Sequence, residues 1–379
     1  MNTLFDRDAL HVKPLSERKH KLDIRRDTVD PDTFPLTLDD AAAQDVALAA
    51  AEIRAARAKG APAILAFGAH SIKNGLSSVM IRLMRGGWIT HFATNGAGVI
   101  HDWEFAYQGR TGEDVQRYAA EGQFGLWSET GTYLNLAIAI GAYRGLGYGE
   151  SVGALVADDG LTVPTPQELR AALTAAAEPG ADTPTRERAA AAADILTLQN
   201  RQGFPAPLLT GGTLRIPHPF KEYGLQAAAH TAGVPFTAHP MIGHDIIYTH
   251  PQNCGAAIGR TAERDFLAFV HSVSQLQGGV YLSVGSAVMS PMIFEKALSM
   301  SRNTARQRGE AIDDFTIHVV DLAKSAWDWT HDGEPPQDNP AYYLRFCKTF
   351  SRMGGRMTYT SADNRAYLAA LLKELEQPR

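Results

Sequence analysis

The 379-residue chain reads as an α/β protein, a mostly parallel sheet with helices on both faces. Three observations predict this. Short apolar or β-branched runs alternate with longer helical stretches, a spacing that calls for crossover connections. Several of those runs end in glycine, small or polar residues, where open α/β sheets bind their ligands. The composition, 45% hydrophobic and 20% charged, is that of an ordinary globular chain, so a large core is expected and disorder is not.

Residues 1–38 are charged, are interrupted by Pro14, Pro31 and Pro35, and read as an arm that packs across the domain or onto a neighbouring subunit. Residues 39–379 read as one α/β domain. Asp39 or Asp40 caps a helix over 41–59 that Gly60 ends. Strand 63–67 follows, then helix 75–85 and strand 88–93. Helices are expected over 112–120 and 133–143, and a strand over 152–157. Thr165-Pro166-Gln167-Glu168 is a capping box with proline at the first helical position, so helix 166–177 starts there. With helix 185–199 it forms a helical insertion at about 164–200. The remaining expectations are helices over 221–232, 263–277, 291–308, 339–353 and 364–376. Strands are expected over 234–238, 279–284, 315–321 and 356–360.

Composition also sets exclusions. Lys and Arg number 36 against 41 Asp and Glu, a net charge of −5, so no basic face for nucleic acid is expected. Cys254 and Cys347 cannot make a disulfide framework and suit a reducing cytoplasm. The first 26 residues lack the apolar core of a signal peptide, and no uncharged apolar run reaches membrane-spanning length. The expectation is a soluble cytoplasmic protein with no membrane partner.

Four post-strand segments carry candidate chemistry. Gly68–Gly75 follows the first strand; this Gly-bounded polar loop, with His70 and Lys73, can hold an anion on free N–H groups. Thr94, Asn95, Gly96 and Gly98 follow the second strand and can cradle a dinucleotide, although the G-x-G-x-x-G pattern is absent. His101 beside them is a general-base candidate, with Asp102 or Glu104 to orient it; the three are also possible metal ligands. In the third segment, 238–250, His239, His244, Asp245 and His250 are suitable zinc or iron ligands, but their spacing matches no established metal pattern. A polar substrate pocket using His244 and Asp245 is favoured, and no metal is assigned. In the fourth, Gly285 and Ser286 end an apolar strand and suit close contact with a nucleotide. Ser286 as a nucleophile lacks a surrounding G-x-S-x-G. Asp363, after the last strand, can bind ribose hydroxyls. The aromatics and acids of 321–336 suit a cationic or polyol ligand or an interface. Lys73, Lys221 and Lys324 are imine candidates by residue type alone.

In their order these segments resemble the deoxyhypusine synthase family across roughly 60–375. Gly68–Gly75 resembles that family's first Gly/Ser/Asn loop. Thr94, Gly98 and Asp102 agree with its Thr- and Gly-rich acidic stretch. Val234, Pro235, Phe236, Pro240 and Asp245 fall in step with a later segment, Gly278–Val288 with its Gly-rich strand and loop, and Ala362, Asp363, Leu371 and Leu372 with its final motif. The resemblance implies a Rossmann-like, deoxyhypusine synthase-like fold, a homotetramer or homodimer, and NAD near Thr94–Gly98, Gly285–Ser286 and Ala362–Asp363. It also shows departures. The family's imine-forming lysine is missing from Gly285-Ser286-Ala287-Val288-Met289-Ser290, and its acidic pair is here Ile100-His101. His101-Asp102-Trp103-Glu104 is similar instead to the His-Asp-x-Glu run of the NAD-containing ornithine cyclodeaminases. The expectation is an NAD-dependent transferase or lyase that oxidises a small polar amine- or hydroxyl-bearing substrate transiently. The alternatives are a catalytically silent nucleotide-binding sensor or assembly protein and a metal hydrolase using His101, His239 and His244.

Overall fold

The computed structural model describes residues 3–377. The chain divides into two compact units. The first comprises residues up to Arg26, Val99–Thr231 and Pro240–Asp265; the second comprises Asp27–Gly98, Ala232–His239 and the chain from Phe266 on. The segment expected as an arm, 1–38, is therefore shared, its first part belonging to the first unit and its remainder to the second.

The second unit is built on six parallel strands: β1 (Ala63–Phe67), β2 (His91–Thr94), β3 (Phe236–Ala238), β4 (Val280–Val284), β5 (Thr316–Asp321) and β6 (Arg356–Ser361). Their spatial order is β6-β5-β4-β1-β2-β3. Read from the other edge this is 3-2-1-4-5-6, the order of dinucleotide-binding doubly wound sheets. Helices cover both faces, and strand alternation shows it. Ile64, Tyr281, Ile317 and Met357 pack with Phe294 and Phe350 on one side. On the other, His318 bonds Glu52 and Thr360 bonds Asp45, both residues of helix α1 (Asp40–Ala58). Because both faces are covered, β1 and β4 are buried at every position.

The first unit is mainly helical. Its strand Leu22–Asp23 pairs antiparallel with Arg110–Thr111. A second antiparallel pair, Gly160–Val163 with Gly212–Arg215, brackets the two helices of the expected insertion, Pro166–Ala177 and Thr183–Gln199. Neither pair is signalled by the sequence pattern. The expected strand 152–157 is instead part of a buried helix, Tyr148–Ala157. Its apolar run suits a buried helix as well as a strand, and its start is held from a distance, the Gly149 N–H donating to Asp265 Oδ2 at 2.9 Å. No helix is long and apolar enough to cross a membrane among the described residues.

Candidate functional site

All strands of the sheet run parallel, so their carboxyl ends share one rim, and the loops there carry the residues expected to hold a cofactor. The switch point, where the strand order reverses, lies between β1 and β4. It is built glycine to glycine. A Cβ on Gly68 would lie 2.1 Å from the Gly285 carbonyl oxygen. Gly285 has φ +57°, and a Cβ there would meet Asn364 Nδ2 at 2.5 Å. Side chains are excluded from both positions by contact, and from Gly285 by backbone conformation as well. Asn364, not singled out by the sequence, is buried, and its Oδ1 has no hydrogen-bond partner among the described residues. Ser71 Oγ, on helix α2 (Ala69–Lys73), is a second such atom.

The other expected cofactor residues have more local work. Thr94 is buried and its hydroxyl donates to the Phe67 carbonyl at 3.0 Å, tying the ends of β1 and β2 together. Asn95 does not sit in an extended loop. It caps a helix that begins at once, its Oδ1 accepting from the Gly98 N–H at 2.9 Å. That helix is α3 (Gly96–Gln108). Gly98 is packed so tightly that a Cβ would lie 2.2 Å from Thr94 Oγ1. His70 is exposed, and partial desolvation followed by the charge of Lys73 holds its imidazole below the usual range. Ser286 is buried, and its Oγ accepts from the Ser290 N–H at 3.2 Å, which engages the hydroxyl weighed above as a nucleophile. Ala362 is half-buried. Asp363 accepts from Arg365 N at 2.8 Å and pairs with that guanidinium at 3.1 Å. The aromatics after β5 hold their own loop, Trp327 donating to the Gly333 carbonyl at 2.9 Å.

The expected catalytic residues belong to the first unit. Helix geometry separates them. His101 and Glu104, three apart, share a face of α3, and Asp102 is turned away. Asp102 is buried and accepts from Leu225 N at 2.9 Å, Gln226 N at 3.0 Å and Gln226 Nε2 at 3.0 Å, so it holds the start of helix Leu225–Ala232. Glu104 forms a buried bidentate pair with Arg18 at 2.9 and 2.6 Å and accepts from the Thr111 and Thr130 hydroxyls. Burial pushes the Glu104 carboxyl up, but the Arg18 charge and these hydrogen bonds outweigh it and hold the group below the ordinary range. Thr111 also lies 2.8 Å from His101 Nδ1. Since its proton goes to the ionised Glu104, Thr111 can only accept from His101. The imidazole therefore carries its proton on Nδ1, and Nε2 is the basic nitrogen. Arg18 and Thr111 were invisible as site residues because one lies far away in sequence and the other in a strand pair without a pattern.

His244 is exposed and Asp245 half-buried in the loop before the 3-10 turn Ile246–Thr249. Desolvation, then the charge of Asp245, pushes the phenol of Tyr248 upward. His239 is held by Thr237 at 2.9 Å, and His250 accepts from Gln252 N at 3.1 Å. No group of three or more His, Cys, Asp or Glu side chains is placed to hold a metal ion among the described residues, so the trio of the hydrolase alternative is not assembled.

No family model matches the sequence, and no curated protein matches it. Solved structures align with it at low identity. The ternary complex of AgrE with ornithine and NAD+ is 11% identical with a TM-score of 0.42, covering 90% of this chain and 34% of that one. ArgZ, an arginine dihydrolase from the ornithine-ammonia cycle in cyanobacteria, is 12% identical with a TM-score of 0.40, covering 90% and 33%. A conserved LOR/SDH protein from Methanococcus maripaludis S2 is 10% identical with a TM-score of 0.42, covering 92% and 74%. The chain thus spans about a third of the AgrE and ArgZ chains, 34% and 33%, and its fold class rests on its own strand order.

Proposed function

We propose that this chain is an NAD-dependent enzyme that oxidises a small amine- or hydroxyl-bearing substrate transiently, with elimination, cyclisation or group transfer before the hydride returns. The observation that carries this reading is the strand order 3-2-1-4-5-6 of the parallel sheet, with its switch point at Gly68 and Gly285. Two features of the rim suit a dinucleotide. Gly68 and Gly285 let the ends of β1 and β4 meet backbone to backbone at the switch point, without side chains between them. Asn364 Oδ1 is a buried acceptor in want of a donor, which a ribose hydroxyl or a carboxamide N–H would supply. Asn364 takes this role in preference to Asp363, whose carboxylate is engaged by Arg365.

NAD, when bound, supplies a reversible hydride acceptor. The chain's own part is proton transfer. His101 takes a proton at Nε2, Thr111 holds the ring through Nδ1, and the ionised Glu104 favours the resulting imidazolium. His244 and Asp245 contribute to substrate binding. The loop after β4 has no lysine, so the reading excludes an enzyme imine there and, with it, the aminobutyl transfer of the deoxyhypusine synthase family. A homotetramer or homodimer and a transferase or lyase reaction remain part of the proposal, on the strength of the resemblance.

Titration calorimetry and thermal melting with NAD test the reading. Saturable binding is expected, with stabilisation of about 2.7 kcal/mol at a hundredfold excess over Kd. Asn364→Ala should weaken binding about tenfold, a loss of about 1.4 kcal/mol. Absence of NAD binding at millimolar concentration would overturn the reading. Binding without turnover of any amine or hydroxy substrate would favour the sensor.

A further inference from the structure

The second unit contains two buried histidines that the proposed chemistry does not use, joined by hydroxyl groups into a continuous chain. His91 opens β2 and is fully buried. Its Nδ1 lies 2.8 Å from Ser272 Oγ and its Nε2 lies 2.9 Å from Thr237 Oγ1. Thr237, in β3, lies 2.9 Å from His239 Nε2. His239 directly follows β3 at the carboxyl rim, where its backbone N–H donates to the Thr94 carbonyl at 2.8 Å. Phe269 packs edge-on against both imidazoles, at 5.6 and 5.3 Å. At the far end, Ser272 is half-buried on helix Gly255–Ser274 and so has access to water.

We propose that Ser272, His91, Thr237 and His239 form a proton-transfer chain linking the carboxyl rim of the sheet to solvent at helix Gly255–Ser274. A neutral imidazole and a hydroxyl each have one proton to give and a lone pair to receive one. The four groups therefore have two arrangements in which every bond of the chain runs one way, all donated towards Ser272 or all towards His239; the Phe92 carbonyl, 3.4 Å from Thr237 Oγ1, is a longer competing acceptor for the Thr237 proton. A proton taken up at His239 Nδ1 moves the chain from the first to the second. His239 passes its Nε2 proton to Thr237, Thr237 passes its own to His91 Nε2, His91 passes its Nδ1 proton to Ser272, and Ser272 releases one to water. Each group gains and loses one proton, and no net charge stays inside. Burial holds both imidazoles down to about 3, so they do not retain an extra proton but hand it on. The chain needs no cofactor and stands apart from the NAD reading. In a reaction with an outgoing and a returning proton, the same path serves both directions.

The test uses the full-length protein labelled with 15N-histidine and no ligand. NMR reads the exchange of the His91 ring N–H with water and the tautomer of each ring. In the parent, His91 exchange should be at least tenfold faster than in Ser272→Ala, which cuts the solvent end, and than in Thr237→Val, which uncouples His239. Ser272→Thr keeps a hydroxyl and should keep the parent rate. Melting temperatures control for local unfolding. Equal exchange rates in the parent and in a folded Ser272→Ala would overturn the proposal and leave the bonds a purely structural role. Neither result depends on whether NAD binds.

Discussion

Arg18 and Glu104 are both charged, both buried and matched through two hydrogen bonds. Removing one partner strands the other's charge in the core, which costs about 3–5 kcal/mol. Glu104→Ala should therefore destabilise the protein by about that amount, and Arg18→Leu combined with Glu104→Leu by much less; denaturant melts of the single and double variants check this. Asp102 tests a different idea. If it orients His101, Asp102→Asn should chiefly damage activity. Its three bonds to residues 225 and 226 instead predict lost stability, about 1–3 kcal/mol, through weakened caps and an amide nitrogen facing N–H donors. The residue types of this cluster were legible in the sequence, but their partnership was not. His101, Asp102 and Glu104 look equivalent as neighbours along a loop. Only helical geometry, with Thr111 and Arg18 brought in from elsewhere, pairs His101 with Glu104 and assigns Asp102 to a helix start.

At the scale of elements, glycine contacts decide what each connection tolerates. Gly68→Ala would push a methyl into the Gly285 carbonyl, a backbone atom that cannot swing away. A loss of about 1–3 kcal/mol is expected from such overpacking, measurable by chemical denaturation. The same change at exposed Gly60 meets nothing within 4 Å, although its φ of +73° still carries strain. Strands of the sheet were readable because burial on both faces makes them short apolar runs bounded by glycine and proline. The first strand, 63–67, has the same bounds in sequence and structure. Other elements depart from their local sequence pattern for identifiable reasons. In 96–108 two glycines disguised a helix whose cap, Asn95, was present locally. In 148–157 an apolar run without a local side-chain cap looked like a strand, because the capping carboxylate of Asp265 lies 116 residues away. The helix placed at 263–277 runs from Gly255 to Ser274, its first turns hidden by Gly255 and Gly259.

For the molecule as a whole, buried histidines set the acid limit. Burial, the first cause in each case, lowers His91 and His239 to about 3 and His20, His218 and His250 to about 4. Unfolding releases them to an ordinary value near 6.5, so below that pH the unfolded chain binds more protons and gains stability. Folding stability should thus be fully present above about pH 7 and fall as pH drops from about 6.5 towards 4. The fall is up to about 1.4 kcal/mol per pH unit for each buried histidine, and less for His20, which solvent partly screens. Urea melts at pH 7, 6 and 5 would show a steadily falling midpoint; a flat profile would refute this account. Sequence by itself determined the fold class, most of the sheet and the post-strand positions of the candidate residues, because strand alternation, capping and glycine placement are local in origin. Tertiary structure alone decided the strand order, the meeting of Gly68 with Gly285, the orphaned oxygen of Asn364 and the bonding of His91 to His239 through Thr237. Those depend on contacts between residues tens to hundreds of positions apart, and no local pattern encodes which distant partner a buried polar group will find.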